Sequence, residues 1–172
     1  MATPSASGQP VYKIRKGEEK DVPVILKFIT DLATSLKKAD PVLIGEKELL
    51  CYGFGEHKVY SSVIVEFVTT TEAIPVGHGL YYFTFSTWMG KSLYLEDIYL
   101  IPKHRNKRLG TLVMKELAKV AVAENCNQMK WQAKNEEEDA IRLYERWGSH
   151  RIENWITFSM DKKTLLEHTS TK

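Results

Sequence analysis

Apolar and polar residues alternate along this chain with two different periods, one typical of β-strands and one typical of helices. The period of two, carried by β-branched and aromatic residues, predicts six strands, at residues 11–15, 59–68, 76–85, 93–101, 128–133 and 154–160. Apolar residues spaced three or four apart predict five helices, which begin after Asp21, at Glu46, at Leu109, at Glu136 and after Asp161. The chain therefore mixes strands and helices in the order β-α-α-β-β-β-α-β-α-β-α.

The second, third and fourth strands follow one another on short turns, which predicts an antiparallel meander. The fourth strand carries two adjacent acids, Glu96 and Asp97, within an otherwise mostly apolar run. Regular alternation places these two side chains on opposite faces of the sheet, so only one of them can point into a given cleft. Each is a candidate for binding or proton transfer, and the alternative is an ion pair with a lysine on a neighbouring strand.

A basic loop joins the fourth strand to the next helix. Pro102 ends the strand, because proline cannot donate to the sheet ladder. Five of the next six residues are basic or carry an imidazole, namely Lys103, His104, Arg105, Lys107 and Arg108. The unpaired N–H groups of a first helical turn, together with the helix dipole, favour an anion at this position. The loop therefore predicts a phosphate site, and the alternative is a solvated charge cluster.

A strand followed by R/Q-x-x-G-x-G/A and a helix resembles the pyrophosphate-binding signature of the GNAT superfamily of N-acetyltransferases. The stretch from Gly79 to Arg105, with GFGEH (53–57) and LYERWG (143–148), is similar to the spermidine/spermine and thialysine N-acetyltransferase group. The likeness runs over residues 11–168. It implies an α/β (α+β) fold of the GNAT type, with a mixed, mostly antiparallel central sheet flanked by helices.

The resemblance also implies an activity, which is transfer of the acetyl group of acetyl-CoA to a primary amine by direct attack in a ternary complex. The amine would belong to a small diamine, a polyamine or a thialysine-like amino acid. The resemblance implies a homodimer and needs no metal. The alternative from another class is a catalytically degenerate relative that serves as a CoA-binding or protein-interaction module.

Site residues follow from the positions that match the family. The cofactor-binding positions are Ile98, Tyr99, Leu100, Arg105, Asn106, Lys107, Arg108, Leu109, Gly110, Thr111 and Glu137. Tyr144 matches the general acid that protonates the leaving thiolate, and Glu96 matches the residue that accepts the amine proton. Tyr144 also lies on the apolar face of its helix, so simple packing is the alternative.

The predicted substrate contacts are Glu96, Asp97, Trp88 and Glu153. For Trp88 the alternative is an exposed aromatic residue of a hairpin turn.

Three departures from the family pattern stand in the sequence. Arg108 replaces the first glycine of the signature, where glycine lets the backbone approach the phosphates. Glu137 lies near the point where the family has a CoA-binding asparagine. Lys37 and Lys38 follow the first helix, where relatives that acetylate polyamines carry acids and tyrosine. Because lysines repel a polycation, a smaller amine or one with its own carboxylate, such as thialysine, fits better.

Length and composition limit the remaining possibilities. The 172 residues predict one domain at 11–172 after a small, polar, disordered tail at 1–10. A net charge of +2 gives no reason to expect nucleic acid as a partner, and G-x-G-x-x-G is absent. No segment resembles a membrane span or a signal peptide, Cys51 and Cys126 stand alone, and the histidines lack metal-ligand spacing. We therefore expect a cytoplasmic protein without a metal.

Overall fold

The computed structural model describes residues 11–38 and 41–169. The tail at residues 1–10, which we expect to be disordered, lies outside this range. The chain forms two compact units, the first ending at Gln132 and the second beginning at Ala133.

The described residues of the first unit form five strands and three helices. In chain order these are β1 Val11–Lys16, α1 Val22–Ser35, α2 Glu46–Phe54, β2 Ser61–Val68, β3 Ala73–Ser86, β4 Gly90–Leu100, α3 Leu109–Ala123 and β5 Gln128–Trp131. Short 3-10 turns precede α1 (Glu19–Asp21) and follow β4 (Pro102–His104). The second unit contains α4 Glu138–Arg146 and α5 Lys162–Thr169.

The strands form one sheet in the order β1-β2-β3-β4-β5. The pairs from β1 to β4 are antiparallel, and β5 is parallel to β4. The predicted meander and the mixed, mostly antiparallel sheet are therefore confirmed. A parallel neighbour requires a crossover connection, and here the crossover is α3.

Helices cover both faces of this sheet. On one face, Ile25 of α1 packs in a buried cluster with Ile64 of β2 and Leu80 of β3. On the other face, Val113 and Leu117 of α3 approach the sheet at Gly79, where a side chain would meet Val113 and Val63. This explains why β2 is apolar at consecutive positions rather than at alternate ones, since both of its faces are buried.

One predicted secondary-structure element is wrong. Residues 151–160 join no strand, and all ten are exposed, so the expected strand at 154–160 is absent. Strand propensity describes how side chains suit a pleated surface, but a ladder also needs a neighbouring backbone in register. Asp21 precedes α1 without capping it through its side chain. Its carboxylate instead accepts hydrogen bonds from the Arg15 guanidinium and the Glu18 backbone N–H, both at 2.8 Å.

Within the described residues, no helix has the length and apolar character needed to cross a membrane.

Candidate active site

A β-bulge in β4 defines the centre of the candidate site. Leu80 of β3 pairs with Asp97, but the next residue, Tyr81, pairs with Leu95. Glu96 is therefore the extra residue of the bulge, and regular alternation is interrupted at this point.

The bulge brings the two acids to one face of the sheet, so the prediction that they lie on opposite faces is wrong. Asp97 lies opposite Leu80, and directly paired residues share a face. Glu96 accepts a hydrogen bond at 3.1 Å from the hydroxyl of Tyr82, which lies two residues after Leu80 on the same face of β3. One inserted residue has therefore converted two acids on opposite faces into a pair on one face.

Two tyrosines accompany Glu96. The rings of Tyr82 and Tyr94 stack at a centroid distance of 5.2 Å. Burial, and then the charge of Glu96, raises the pKa of Tyr82 to about 12. Its hydroxyl therefore keeps its proton at neutral pH and remains a donor to the carboxylate. The sequence alone does not identify these tyrosines, because the alternation of β3 and β4 places them beside Glu96 only once the pairing register is known.

Asp97 lies in a less polar environment than Glu96. Its side chain lines a pocket next to α1. Burial, and then the nearby charge of Glu96, raises the pKa of Asp97, while the charge of Lys38 acts in the opposite direction.

Beyond the bulge, β4 continues past the end of its parallel neighbour. The ladder between β4 and β5 ends where Leu95 pairs with Trp131. The N–H of Ile101 donates to Val76 O at 2.9 Å, so by alternation the peptide groups of Ile98 and Leu100 point away from β3. The Leu100 carbonyl accepts a hydrogen bond at 3.0 Å from Arg105 Nε.

The basic loop reaches α3 through two left-handed residues. Asn106 has a φ of 60°, and Arg108, the residue immediately before α3, has a φ of 59°. Arg108 therefore holds the backbone conformation that favours glycine, at a cost of about 1–2 kcal/mol. Its side chain does not cap the helix. The amides of Leu109, Gly110 and Thr111 form the first turn of α3, where intrahelical acceptors are lacking.

A hydrogen-bonded chain connects this loop to β1. Lys107 Nζ donates to the hydroxyl oxygen of Tyr12 at 3.0 Å, and that oxygen lies 2.9 Å from Nδ1 of buried His104. Burial, and then the charges of Lys107 and Lys103, lowers the pKa of His104. A neutral imidazole can accept the hydroxyl proton of Tyr12. The sequence alone does not identify Tyr12, because its partners lie more than 90 residues away along the chain.

The remaining predicted site residues lie at separate places. Trp88 lies in the turn between β3 and β4 and is 80% exposed. The second unit carries Glu137, which immediately precedes α4, and the exposed Glu153. It also carries Tyr144, which is buried on α4. Burial, and then the charge of Glu137, raises the pKa of Tyr144, so its phenol is protonated at neutral pH.

Over residues 11–38 and 41–169, no group of three or more His, Cys, Asp or Glu side chains could hold a metal ion.

Comparison with known proteins gives one consistent result. Residues 39–148 match the acetyltransferase (GNAT) family. The thialysine N-epsilon-acetyltransferase of Mus musculus is 33% identical over 162 residues, which is 90% of this chain and 95% of that protein. The same-named protein of Bos taurus is 34% identical over 161 residues, again 90% and 95%. The spermidine/spermine N(1)-acetyltransferase-like protein 1 of Homo sapiens is 30% identical over 91% of this chain and 23% of that protein.

Solved structures agree on the fold. An integron cassette protein from V. cholerae superimposes with a TM-score of 0.71 at 20% identity, covering 93% of this chain and 98% of that one. A ribosomal-protein-alanine N-acetyltransferase from Brucella melitensis gives a TM-score of 0.67 at 18% identity, covering 87% and 98%. The chain thus belongs to the acetyltransferase (GNAT) family, whose fold it has, and it is an N-acetyltransferase.

Proposed function

We propose that this protein transfers the acetyl group of acetyl-CoA to a primary amine of a thialysine-like amino acid, a small diamine or a polyamine. The observation that carries the proposal is the β4 bulge, which places Glu96 and Asp97 on one face of the sheet. The same strand then leads directly into the basic loop and the first turn of α3. A pair of acids that suits an amine and a basic loop that suits a phosphate thus lie on one continuous stretch of chain.

The loop suits the diphosphate of CoA. The left-handed residues Asn106 and Arg108 bring the chain to the amino end of a 15-residue helix, whose first amides and dipole favour an anion. The exposed cations Arg105, Lys107 and Arg108 add positive charge at that point. We propose that Leu109, Gly110 and Thr111 bind the diphosphate with their amides. The thioester of the bound co-substrate supplies the acetyl group.

The open stretch of β4 suits the pantetheine arm. The peptide groups of Ile98 and Leu100 point away from β3, beyond the last pair with β5. An extended amide chain can add to such an edge by main-chain hydrogen bonds, with Tyr99 between them. The Leu100 carbonyl already accepts a hydrogen bond from Arg105. The N–H of Leu100 and the N–H and carbonyl of Ile98 are therefore the groups proposed to bind the pantetheine arm. Glu137 is the further proposed contact to CoA.

Glu96 is proposed to accept the proton of the substrate ammonium, directly or through water, because an amine attacks only with a free lone pair. The hydroxyl of Tyr82 holds the carboxylate by a hydrogen bond. Asp97, Trp88 and Glu153 are the other proposed substrate contacts.

Tyr144 is proposed as the acid. As the C–N bond forms and the C–S bond breaks, its phenol gives a proton to the departing sulfur. The nitrogen of the forming amide loses its second proton through water to the tyrosinate, which restores the phenol. The products are an N-acetylated amine and CoA, with the proton taken by Glu96 released to solvent. The raised pKa of Tyr144 keeps that proton available at neutral pH. The position is carried over from the family, where this tyrosine stands in the same helix.

The test measures CoA release and the acetylated amine by mass spectrometry, for the wild type, Glu96→Gln and Tyr144→Phe. We expect each variant to lower kcat by about 100-fold, the usual contribution of a positioned acid or base. Acetyl-CoA should raise the melting temperature of all three proteins, since neither substitution touches the loop. Unchanged turnover in Tyr144→Phe would exclude that residue as the acid.

A second candidate function is a degenerate GNAT protein that acts as an interaction module. Arg108 favours it, because its side chain adds bulk and strain where the family has glycine. A wild-type protein whose melting temperature does not respond to acetyl-CoA would support this second candidate.

We further propose that residues 11–172 act as one domain and that the protein is a cytoplasmic homodimer. Size-exclusion chromatography with light scattering tests the oligomeric state.

A further inference from the structure

A pocket of about 380 Å³ lies between α1 and the bulge of β4. Most of its wall is apolar and comes from α1 and the segment after it, namely Ile29, Leu32, Ala33, Leu36, Pro41 and Val42. Among the described residues of the wall, the charged ones are the acid Asp97 and the base Lys38. The pocket therefore combines an apolar surface with two opposite charges.

The backbone of Lys38 is held in place by the end of α1. The N–H of Lys38 donates to Ala33 O and the N–H of Lys37 donates to Thr34 O, both at 3.1 Å. With Lys37 in the left-handed conformation (φ 50°), this is the Schellman pattern that closes many helices. The Cα of Lys38, from which the side chain extends, is thus fixed at the pocket, although the residue itself is exposed.

The two charges act on one another but do not form a contact pair. The charge of Lys38 opposes the effects of burial and of Glu96 on Asp97. Within residues 11–38 and 41–169, no ion pair of 4.0 Å or less joins the Lys38 ammonium to the Asp97 carboxylate. Because the two charged groups are more than 4.0 Å apart, a ligand can lie between them.

A zwitterion on an apolar chain matches these features. Its ammonium end suits Asp97 and the adjacent Glu96, and its methylene or thioether chain suits the apolar wall. Its carboxylate suits Lys38 through a charge-assisted hydrogen bond. A diamine in the same place would bring a second ammonium toward Lys38, where like charges repel.

We propose that Lys38 is a specificity-determining residue, which pairs with the carboxylate of an amino-acid substrate whose ammonium end lies at Asp97 in this pocket. The inference rests on the proposed function and narrows it from primary amines in general to amino acids with a terminal amine.

The experiment compares substrates that differ only by the carboxylate. Thialysine is paired with bis(2-aminoethyl) sulfide, and lysine is paired with cadaverine. The kcat/KM of each is measured for the wild type, Lys38→Gln, Lys38→Glu and Lys37→Gln. Lys37→Gln is the matched control, because it removes the same charge from the neighbouring residue, which does not line the pocket.

We expect Lys38→Gln to lower kcat/KM for the amino acids by about tenfold, since a charged hydrogen-bond partner is lost, and to raise it slightly for the diamines, whose second ammonium is no longer repelled. Lys38→Glu should go further and raise kcat/KM for the diamines. Calorimetric titration of thialysine into the CoA-bound protein should show a loss of affinity in both Lys38 variants, and the larger loss in Lys38→Glu. Lys37→Gln should keep the wild-type preference.

Different results would overturn the role of Lys38 and the proposed acetyl transfer. Turnover by the wild type with an unchanged amino-acid to diamine ratio in Lys38→Gln would overturn this inference and leave the proposed function standing. An equal change of ratio in Lys37→Gln would also overturn it, because the effect would then be general electrostatics. Absence of CoA release with all four amines would overturn the proposed function and the inference with it.

Discussion

His78 lies in the core beside the ring of Phe28. Its side chain is fully buried, and its ring lies 5.5 Å from that of Phe28. Neither ring nitrogen has a hydrogen-bond partner within the described part of the chain. Burial lowers the pKa of His78 to about 4, so the imidazole is neutral at pH 7. An unsatisfied buried polar group costs about 1–3 kcal/mol, which makes this histidine a source of instability in the core.

We expect His78→Leu to raise the free energy of unfolding at pH 7.5 by about 1 kcal/mol, because the side chain of similar volume has no polar atoms to satisfy. The pH dependence gives a second signature. Below pH 6.5 the unfolded chain binds a proton that the folded His78 does not, so wild-type stability falls as the pH decreases from 6.5 toward 4. The total loss is about 3 kcal/mol.

Urea unfolding of both proteins at pH 7.5 and pH 5 measures this effect. The stability difference between His78→Leu and wild type should grow at the lower pH. The pKa of His104 is also lowered, but His104 is present in both proteins, so its contribution cancels. Parallel pH profiles for the two proteins would contradict the assignment to His78.

At the scale of elements, the basic loop between β4 and α3 depends on β1, which is distant in sequence. Tyr12 packs against Phe67 with a ring distance of 5.4 Å and receives the hydrogen bond of Lys107. It also lies within hydrogen-bond distance of His104 at the start of the loop. The hydroxyl of Tyr12 thus fixes both ends of the basic segment, which lowers the entropy that the loop must lose when an anion binds.

We expect Tyr12→Phe to reduce the free energy of unfolding by about 1 kcal/mol and to raise the dissociation constant of CoA about threefold. Calorimetry and urea unfolding provide the two measurements. Tyr60→Phe is the matched control: its hydroxyl donates to Leu49 O at 2.8 Å, within the core beside α2. The control should lose comparable stability and keep its affinity for CoA. Equal losses of affinity in both variants would show that Tyr12 acts through global stability alone.

At the scale of the whole molecule, direct transfer requires no covalent enzyme intermediate. Cys51 is exposed on α2, and Cys126 lies between α3 and β5. Burial raises the pKa of Cys126, which makes it a poorer nucleophile. Neither cysteine belongs to the bulge, the loop or the pocket of the first unit.

The double variant Cys51→Ser, Cys126→Ser should therefore keep kcat/KM within about twofold of wild type, as is usual for positions away from the chemistry. Initial rates at varied amine and acetyl-CoA concentrations should give intersecting double-reciprocal lines. Parallel lines, or an acetylated enzyme in the intact mass spectrum, would contradict direct transfer and indicate an acyl-enzyme.

Much of this architecture is local and could be read from the sequence. The periods of two and three to four residues predicted the meander and the helices, because the side of an element that is buried must be apolar. The basic loop before α3 could also be predicted from the sequence, because a cluster of charges and the start of a helix are both properties of consecutive residues. The family, the fold class and the acetyltransferase activity followed from these stretches.

Only the tertiary structure decided what depends on register and on distant partners. The bulge at Glu96 depends on how β4 pairs with β3, and the sequence of β4 alone does not predict that one of its residues is left unpaired. The contact of Tyr12 with His104 and the pocket between Lys38 and Asp97 join residues far apart in the chain. The strand expected at residues 154–160 is absent for a related reason. A strand forms only where another strand pairs with it, and the residues of one segment do not show whether such a partner exists.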